Sequence, residues 1–195
     1  MKRKLKIVGT LASLGLCLAM LVIGVYAATT VSFNITANVQ FAVTDVFVDV
    51  EGKVFADPVA SKGTTQVGET FSATSYSGTT PSAALSKTSW AIGTTNFTST
   101  NDCIVYTLKI TNAAKSGSVN VTVSALPVAI TGTSVEAKYA VDGGAQSNLA
   151  TTAIPVNAGS YVTITITRTL TDKTKAISDT SAWAPTVTIA NPAAA

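Results

Sequence analysis

Residues 29–51 read TTVSFNITANVQFAVTDVFVDVE, and this stretch decides the fold. Val31, Phe33, Ile35, Ala37, Val39, Phe41 and Val43 fall at every second position, with Thr30, Ser32, Asn34, Thr36, Asn38, Gln40 and Thr44 between them, broken only by Ala42. Successive side chains of a strand point to opposite faces, so this period marks a strand with one apolar face. The phase then slips: Val46, Val48 and Val50 become the apolar set, with Asp45, Asp49 and Glu51 alternating. A one-residue slip turns side chains to the other face. A bulge, a bend or a change of sheet is therefore expected at Thr44-Asp45.

The same alternation recurs down the chain. Ile104, Tyr106, Leu108 and Ile110 form one set, and Val119, Val121, Val123 and Ala125 form another after a turn-rich segment. These two runs read as an antiparallel hairpin. Val135, Ala137, Tyr139 and Val141 lead to Asp142-Gly143-Gly144, a strong turn signal. Val162, Ile164 and Ile166, then Val187 and Ile189, complete the pattern, with a weaker strand at 71–76. Residues 51–66 and 76–101 read as loops, the second with a minor strand near 89–92, and 172–183 as a loop with one helical turn. The expectation is an all-β, antiparallel two-sheet sandwich, jelly-roll or immunoglobulin-like, of seven to nine strands.

Residues 1–27 read as a signal peptide. Lys2, Arg3, Lys4 and Lys6 precede an apolar run from Ile7 to Val25, and Val25-Tyr26-Ala27 offers a cleavage site. An uncleaved anchor is the alternative, since the run is long enough to span a bilayer. Residues 28–195 then form a single sandwich domain, with the amphipathic strand 29–43 at its start. The chain carries 13 Lys and Arg against 10 Asp and Glu. Without the four leader cations, nine remain against ten acids, a net charge of −1. That argues against nucleic acid as a partner, which needs a basic surface, and leaves the membrane as a partner only through an uncleaved leader.

The 195 residues include no His. Histidine-based acid–base chemistry and Ser-His or Cys-His nucleophiles are excluded. Asp45, Asp49 and Glu51 are the close acidic trio, but they share a solvated strand face without a wrapping loop. No catalytic, cofactor or metal residues are assigned, and the chain is expected to be neither an enzyme nor a holder of any cofactor. After loss of Cys17 with the leader, Cys103 has no intrachain partner. It reads as a buried small hydrophobe or as a link between subunits. Lys109, between Thr107 and Thr111 on a polar strand face, does not suit a buried Lys–Asn crosslink.

Two sets of residues point to binding. The run 29–43 would extend nearly 50 Å at about 3.3 Å per residue, against about 17–20 Å for an ordinary strand. Either it breaks at Ala37-Asn38, or part of it leaves its own domain. In the second case Val31, Phe33, Ile35, Val39 and Phe41 would fill a neighbour's groove by strand addition. Self-association into an oligomer or fibre would follow. The other set is aromatic: Trp90, Trp183 and Tyr76 lie near loops, where they either plug the sandwich or stack on a surface polysaccharide or protein.

A basic leader, a small-residue cleavage site, an immediate amphipathic strand and an all-β body resemble the secreted camelysin-like proteins, which include biofilm matrix fibre subunits. Tyr106-Thr107-Leu108-Lys109-Ile110-Thr111-Asn112 and Val119-Asn120-Val121-Thr122-Val123 carry the local likeness. The resemblance implies a jelly roll that polymerises through its N-terminal strand. The metallopeptidase activity ascribed to that family is not carried over, because His-Glu-x-x-His is absent from this chain. The function expected is a secreted or cell-surface structural protein, a fibre or matrix subunit; the alternative is a surface adhesion or carbohydrate-binding module.

Overall fold

The computed structural model describes residues 33–82, 84–97, 101–172 and 180–192. The leader, and with it the cleavage and anchor expectations, lies outside them. The described chain is all strand apart from one short 3-10 turn at Val59–Ser61. The strands are β1 (Phe33–Thr44), β2 (Val48–Asp57), β3 (Gln66–Thr74), β4 (Tyr76–Ser77), β5 (Thr80–Pro81), β6 (Ser89–Phe97) and β7 (Cys103–Asn112). There follow β8 (Ser118–Val123), β9 (Thr133–Val141), β10 (Ser147–Asn148), β11 (Ile154–Asn157), β12 (Tyr161–Leu170), β13 (Thr180–Trp183) and β14 (Thr186–Ala190).

Two sheets carry the core. The first runs β11-β8-β14-β1, with β13 continuing β14's edge of β1 and β6 on β1's other side. The second runs β10-β9-β12-β7-β2-β3, and β4 pairs β5 as a small hairpin. Apolar faces of both sheets meet in one buried cluster that includes Val39, Phe41, Val48, Ile110, Val121, Ile164 and Ile189. Each fully buried Val or Ile contributes about 1.5–3 kcal/mol relative to exposure. Phe41 stacks on Phe71 at 5.2 Å, and Phe71 on Trp90 at 5.9 Å, tying the first sheet to the second.

The slip at Thr44-Asp45 is a change of sheet. β1 ends at Thr44 in the first sheet and β2 begins at Val48 in the second. Asp45 makes the corner at φ 46°, in the left-handed region that Asp tolerates. Because the chain crosses the core, both apolar sets point inward: Val39 and Val43 from one sheet, Val46, Val48 and Val50 from the other side. Ser75 pins the crossing. Its hydroxyl donates to the Val46 carbonyl, and its Oγ accepts from Val48 N at 2.9 Å.

Three expectations need correction. β7 and β8 do not form a hairpin. Both edges of β7 are taken, by β2 and by β12, so β8 crosses to the first sheet and pairs β14 and β11. Buried Asn112 supports that crossing, donating to Val156 O at 3.0 Å and accepting from Ala114 N at 3.1 Å. The first sheet is also mixed, since β1 runs parallel to β13 and β14. Finally, the strands exceed seven to nine. β2 and β3 extend into residues 51–66 and beyond, and the minor strand expected near 89–92 is present as β6, longer than expected at Ser89–Phe97. β3 is an edge strand that buries only Phe71 and Ala73, so its alternation is faint. β11 contains Pro155, which an edge position tolerates. β13 replaces the end of the expected loop at 172–183, and residues 173–179 of it lie outside the described residues.

Candidate assembly site

β1 is the strand on which the first sheet is built. On one side it pairs antiparallel with β6, from Phe33↔Phe97 to Gln40↔Ser89. On the other it pairs parallel with β13 over Asn34–Ala37, then with β14 over Gln40–Thr44. The two ladders break at one place. The β6 register shifts between Ala37 and Asn38, where Gly93 adopts φ 72°. On the opposite side, Ala184 and Pro185 separate β13 from β14, and Gln40 N donates to Pro185 O at 3.0 Å. The expected division of the strand at Ala37-Asn38 is not found: β1 runs unbroken from Phe33 to Thr44, and only its pairing with β6 slips there, with the extra residue on β6. β13 has β1 as its sole strand neighbour among the described residues.

The sequence-assigned strand residues divide along this break. Val31 lies outside the described residues. Phe33 and Ile35 sit in the first half of β1, opposite Phe97 and Thr95 in the β6 register. Val39 and Phe41, in the second half, are buried in the chain's own core.

The aromatic set does not form a surface. Trp90 and Trp183 are buried, 6% and 7% exposed, so neither indole is free to stack on a ligand. Trp183 lies 6.1 Å from the Tyr106 ring and donates Nε1–H to Ala125 O at 3.2 Å. Both rings belong to the buried core cluster. Tyr76 is half-buried and tilts against Phe47 at 5.7 Å. Its hydroxyl donates to Asp49 Oδ1 at 2.9 Å, and this bond, with burial, raises its pKa. Tyr76 also borders a cavity of about 550 Å³, with Phe47, Asn112, Lys115 and Asn191.

The acidic trio is dispersed. Asp49 holds Tyr76, Glu51 pairs with Lys53 at 2.6 Å, and Asp45 occupies the sheet-crossing corner. Among the described residues no three His, Cys, Asp or Glu converge as metal ligands. Lys109 lies over the Tyr161 ring at 4.3 Å on the outer face of β7. Cys103 is fully buried, and burial pushes its thiol pKa up.

Two polar features escaped the sequence reading. Arg168 lies on the inward face of β12, with 1% exposure. Its Nη1 is 3.5 Å from Val128 O, while Nε and Nη2 have no hydrogen-bond partner among the described residues. Burial lowers its pKa and drives that of nearby Tyr106 up to about 12. The alternation of β12 placed position 168 inside; a charged residue on an apolar phase was the available signal. The second is Asp57. Its carboxylate accepts from the amides of Gly63, Thr64 and Thr65 at 2.9 Å, and from the Thr64 hydroxyl at 3.0 Å. Burial raises its pKa, and the bonds from Thr65 and Thr64 outweigh that and hold it below the usual value.

No protein-family model matches this chain. No curated protein matches it either. Among solved structures, a mutant of the major pilin from Streptococcus pyogenes aligns with 10% identity and a TM-score of 0.23, covering 82% of this chain and 48% of the pilin. The chain thus spans about half the length of that pilin. At that score the likeness carries no weight for fold or function. No helix among the described residues is long and apolar enough to cross a membrane.

Proposed function

We propose that this chain is a secreted or cell-surface structural protein, a subunit that self-associates into an extracellular fibre by adding its N-terminal strand to the sheet of a neighbour. The observation that carries this reading is the seat of β1. An amphipathic strand, the first among the described residues, lies between β6 on one side and β13 then β14 on the other, and β13 has no other strand neighbour among the described residues. Such a slot has the shape of one missing strand, and a second copy's strand offers the same backbone bonds and apolar residues as the chain's own. A head-to-tail exchange of that kind propagates without closing, which makes a filament. The leader places the protein outside the cell in this reading, and the absence of His removes the commonest catalytic chemistry.

The test uses residues 28–195, a version lacking 28–43, and a synthetic peptide of 28–43. Electron microscopy and light scattering should show filaments from the intact version and none from the truncated one. The free peptide, added in excess, should fill the slot and shorten the filaments. An intact version that stays monomeric under assembly-promoting conditions overturns the reading, as does a truncated version that is folded and assembles equally well.

A further inference from the structure

A sheet edge is a row of unpaired amides and carbonyls, and exposed edges are usually blunted by charge, proline, brevity or cover. The edges of the two sheets differ sharply in this respect. β11 is four residues long and contains Pro155. β9 carries Glu136 and Lys138, 3.5 Å apart, and is part-covered by β10. β3 carries Glu69. β6 is nine residues long, SWAIGTTNF, with no ionisable side chain and no proline. One of its edges bonds β1, and the other meets no strand among the described residues. Its single irregularity, at Gly93, leaves regular runs on either side.

Next to β6 a groove of about 400 Å³ separates it from β3, with Val67, Phe71, Trp90 and Ile92 in its lining and Glu69 and Lys87 at its walls. Neither charge forms an ion pair among the described residues.

We propose that the outer edge of β6, which meets no strand among the described residues, docks the β6 strand of a second copy, antiparallel about a two-fold axis, so that the two first sheets join into one. A two-fold sets a strand against itself, and like charges placed opposite one another on paired strands destabilise the pairing. β6 is the long edge that brings no charge to such a contact. The groove beside it contributes one cation and one anion from each copy, so the junction gathers no net charge. This contact is lateral and leaves β1 untouched. It therefore stands apart from strand donation, and in a fibre it would join filaments side by side.

The experiment compares the full chain with A91K, on an exposed position of β6, and N157K, on an exposed position of the β11 edge. Sedimentation equilibrium should show concentration-dependent pairing of the full chain, its loss in A91K, and its retention in N157K, with unchanged unfolding midpoints. Hydrogen exchange on the full chain should show amides of 89–97 slowing as concentration rises, while those of 154–157 do not. Pairing of A91K as tight as that of the full chain overturns the proposal. So does β6 exchange that is indifferent to concentration, which decides the matter even if A91K fails to fold. Filaments of A91K that still elongate but no longer associate side by side support it. Absence of filaments from every version would instead strike the fibre reading, with the sedimentation result still judging the β6 contact.

Discussion

The Trp90 indole lies directly on the backbone of Gly52. A Cβ built on that glycine would stand 2.7 Å from Cζ3 and 2.8 Å from two further ring carbons. Gly52 is an inward-facing position in the middle of β2, opposite Phe71 in the β3 register. The missing side chain is what lets a ring from one sheet rest on the other. Gly52→Ala should therefore cost about 1–3 kcal/mol, as overpacking of a filled core does, and Trp90→Ala about 3–5 kcal/mol through the cavity left. Urea denaturation of both variants checks this; a Gly52→Ala protein as stable as the parent would show that the indole moves aside freely.

Arg168 gives the opposite expectation. A buried cation with two nitrogens unpartnered among the described residues carries a desolvation cost that its 3.5 Å contact with Val128 O does little to offset. Arg168→Met, similar in volume, should be neutral or stabilising by up to about 4 kcal/mol. A thermal melt reads it out, and a large fall in midpoint would mean that the guanidinium has a strong partner.

Asp57 should make the 58–65 loop acid-sensitive. The bonds from Thr64 and Thr65 hold its folded pKa below the usual aspartate value, so its contribution is complete above the unfolded pKa and fades as pH falls through the folded one. The parent should lose stability below about pH 4. Asp57→Asn should be less stable near neutrality and show a flatter acid limb in pH-dependent melts. Parallel curves for the two proteins would count against the carboxylate as the loop's clasp.

Cys103 should resist thiol reagents in the folded chain. It is fully buried, and that burial pushes its thiol pKa up. Labelling should appear only with unfolding, at the rate of the global transition. Rapid labelling of native protein would reopen the intersubunit link.

What the sequence revealed and what it hid follow from one distinction. Alternation reports which face of a strand is buried, and so the crossing at Thr44-Asp45 was legible from six valines and phenylalanines. It does not report which strand lies alongside. Tyr106 and Val121 both point inward as read, yet belong to different sheets, because β12 reaches β7 from far along the chain. The parallel pairing of Phe41 with Val187 was invisible for the same reason. Trp90 and Trp183 sit in segments that lack clean alternation, so their inward turn had no local signature. Strand length alone suggested a division at Ala37-Asn38, yet β1 continues through it, because the irregularity falls on the partner strand β6.

The pairing of β1 with β14 has a temporal side. The first described strand of the chain lies against the last, Thr44 opposite Ala190. A polypeptide synthesised from its N-terminus delivers β1 early and must hold it unpartnered on that flank until β14 has been made. Contacts so distant in sequence also close slowly. The central ladder of the first sheet is thus a release-dependent event, and in a crowd of nascent copies the waiting strand can meet another molecule before its own tail.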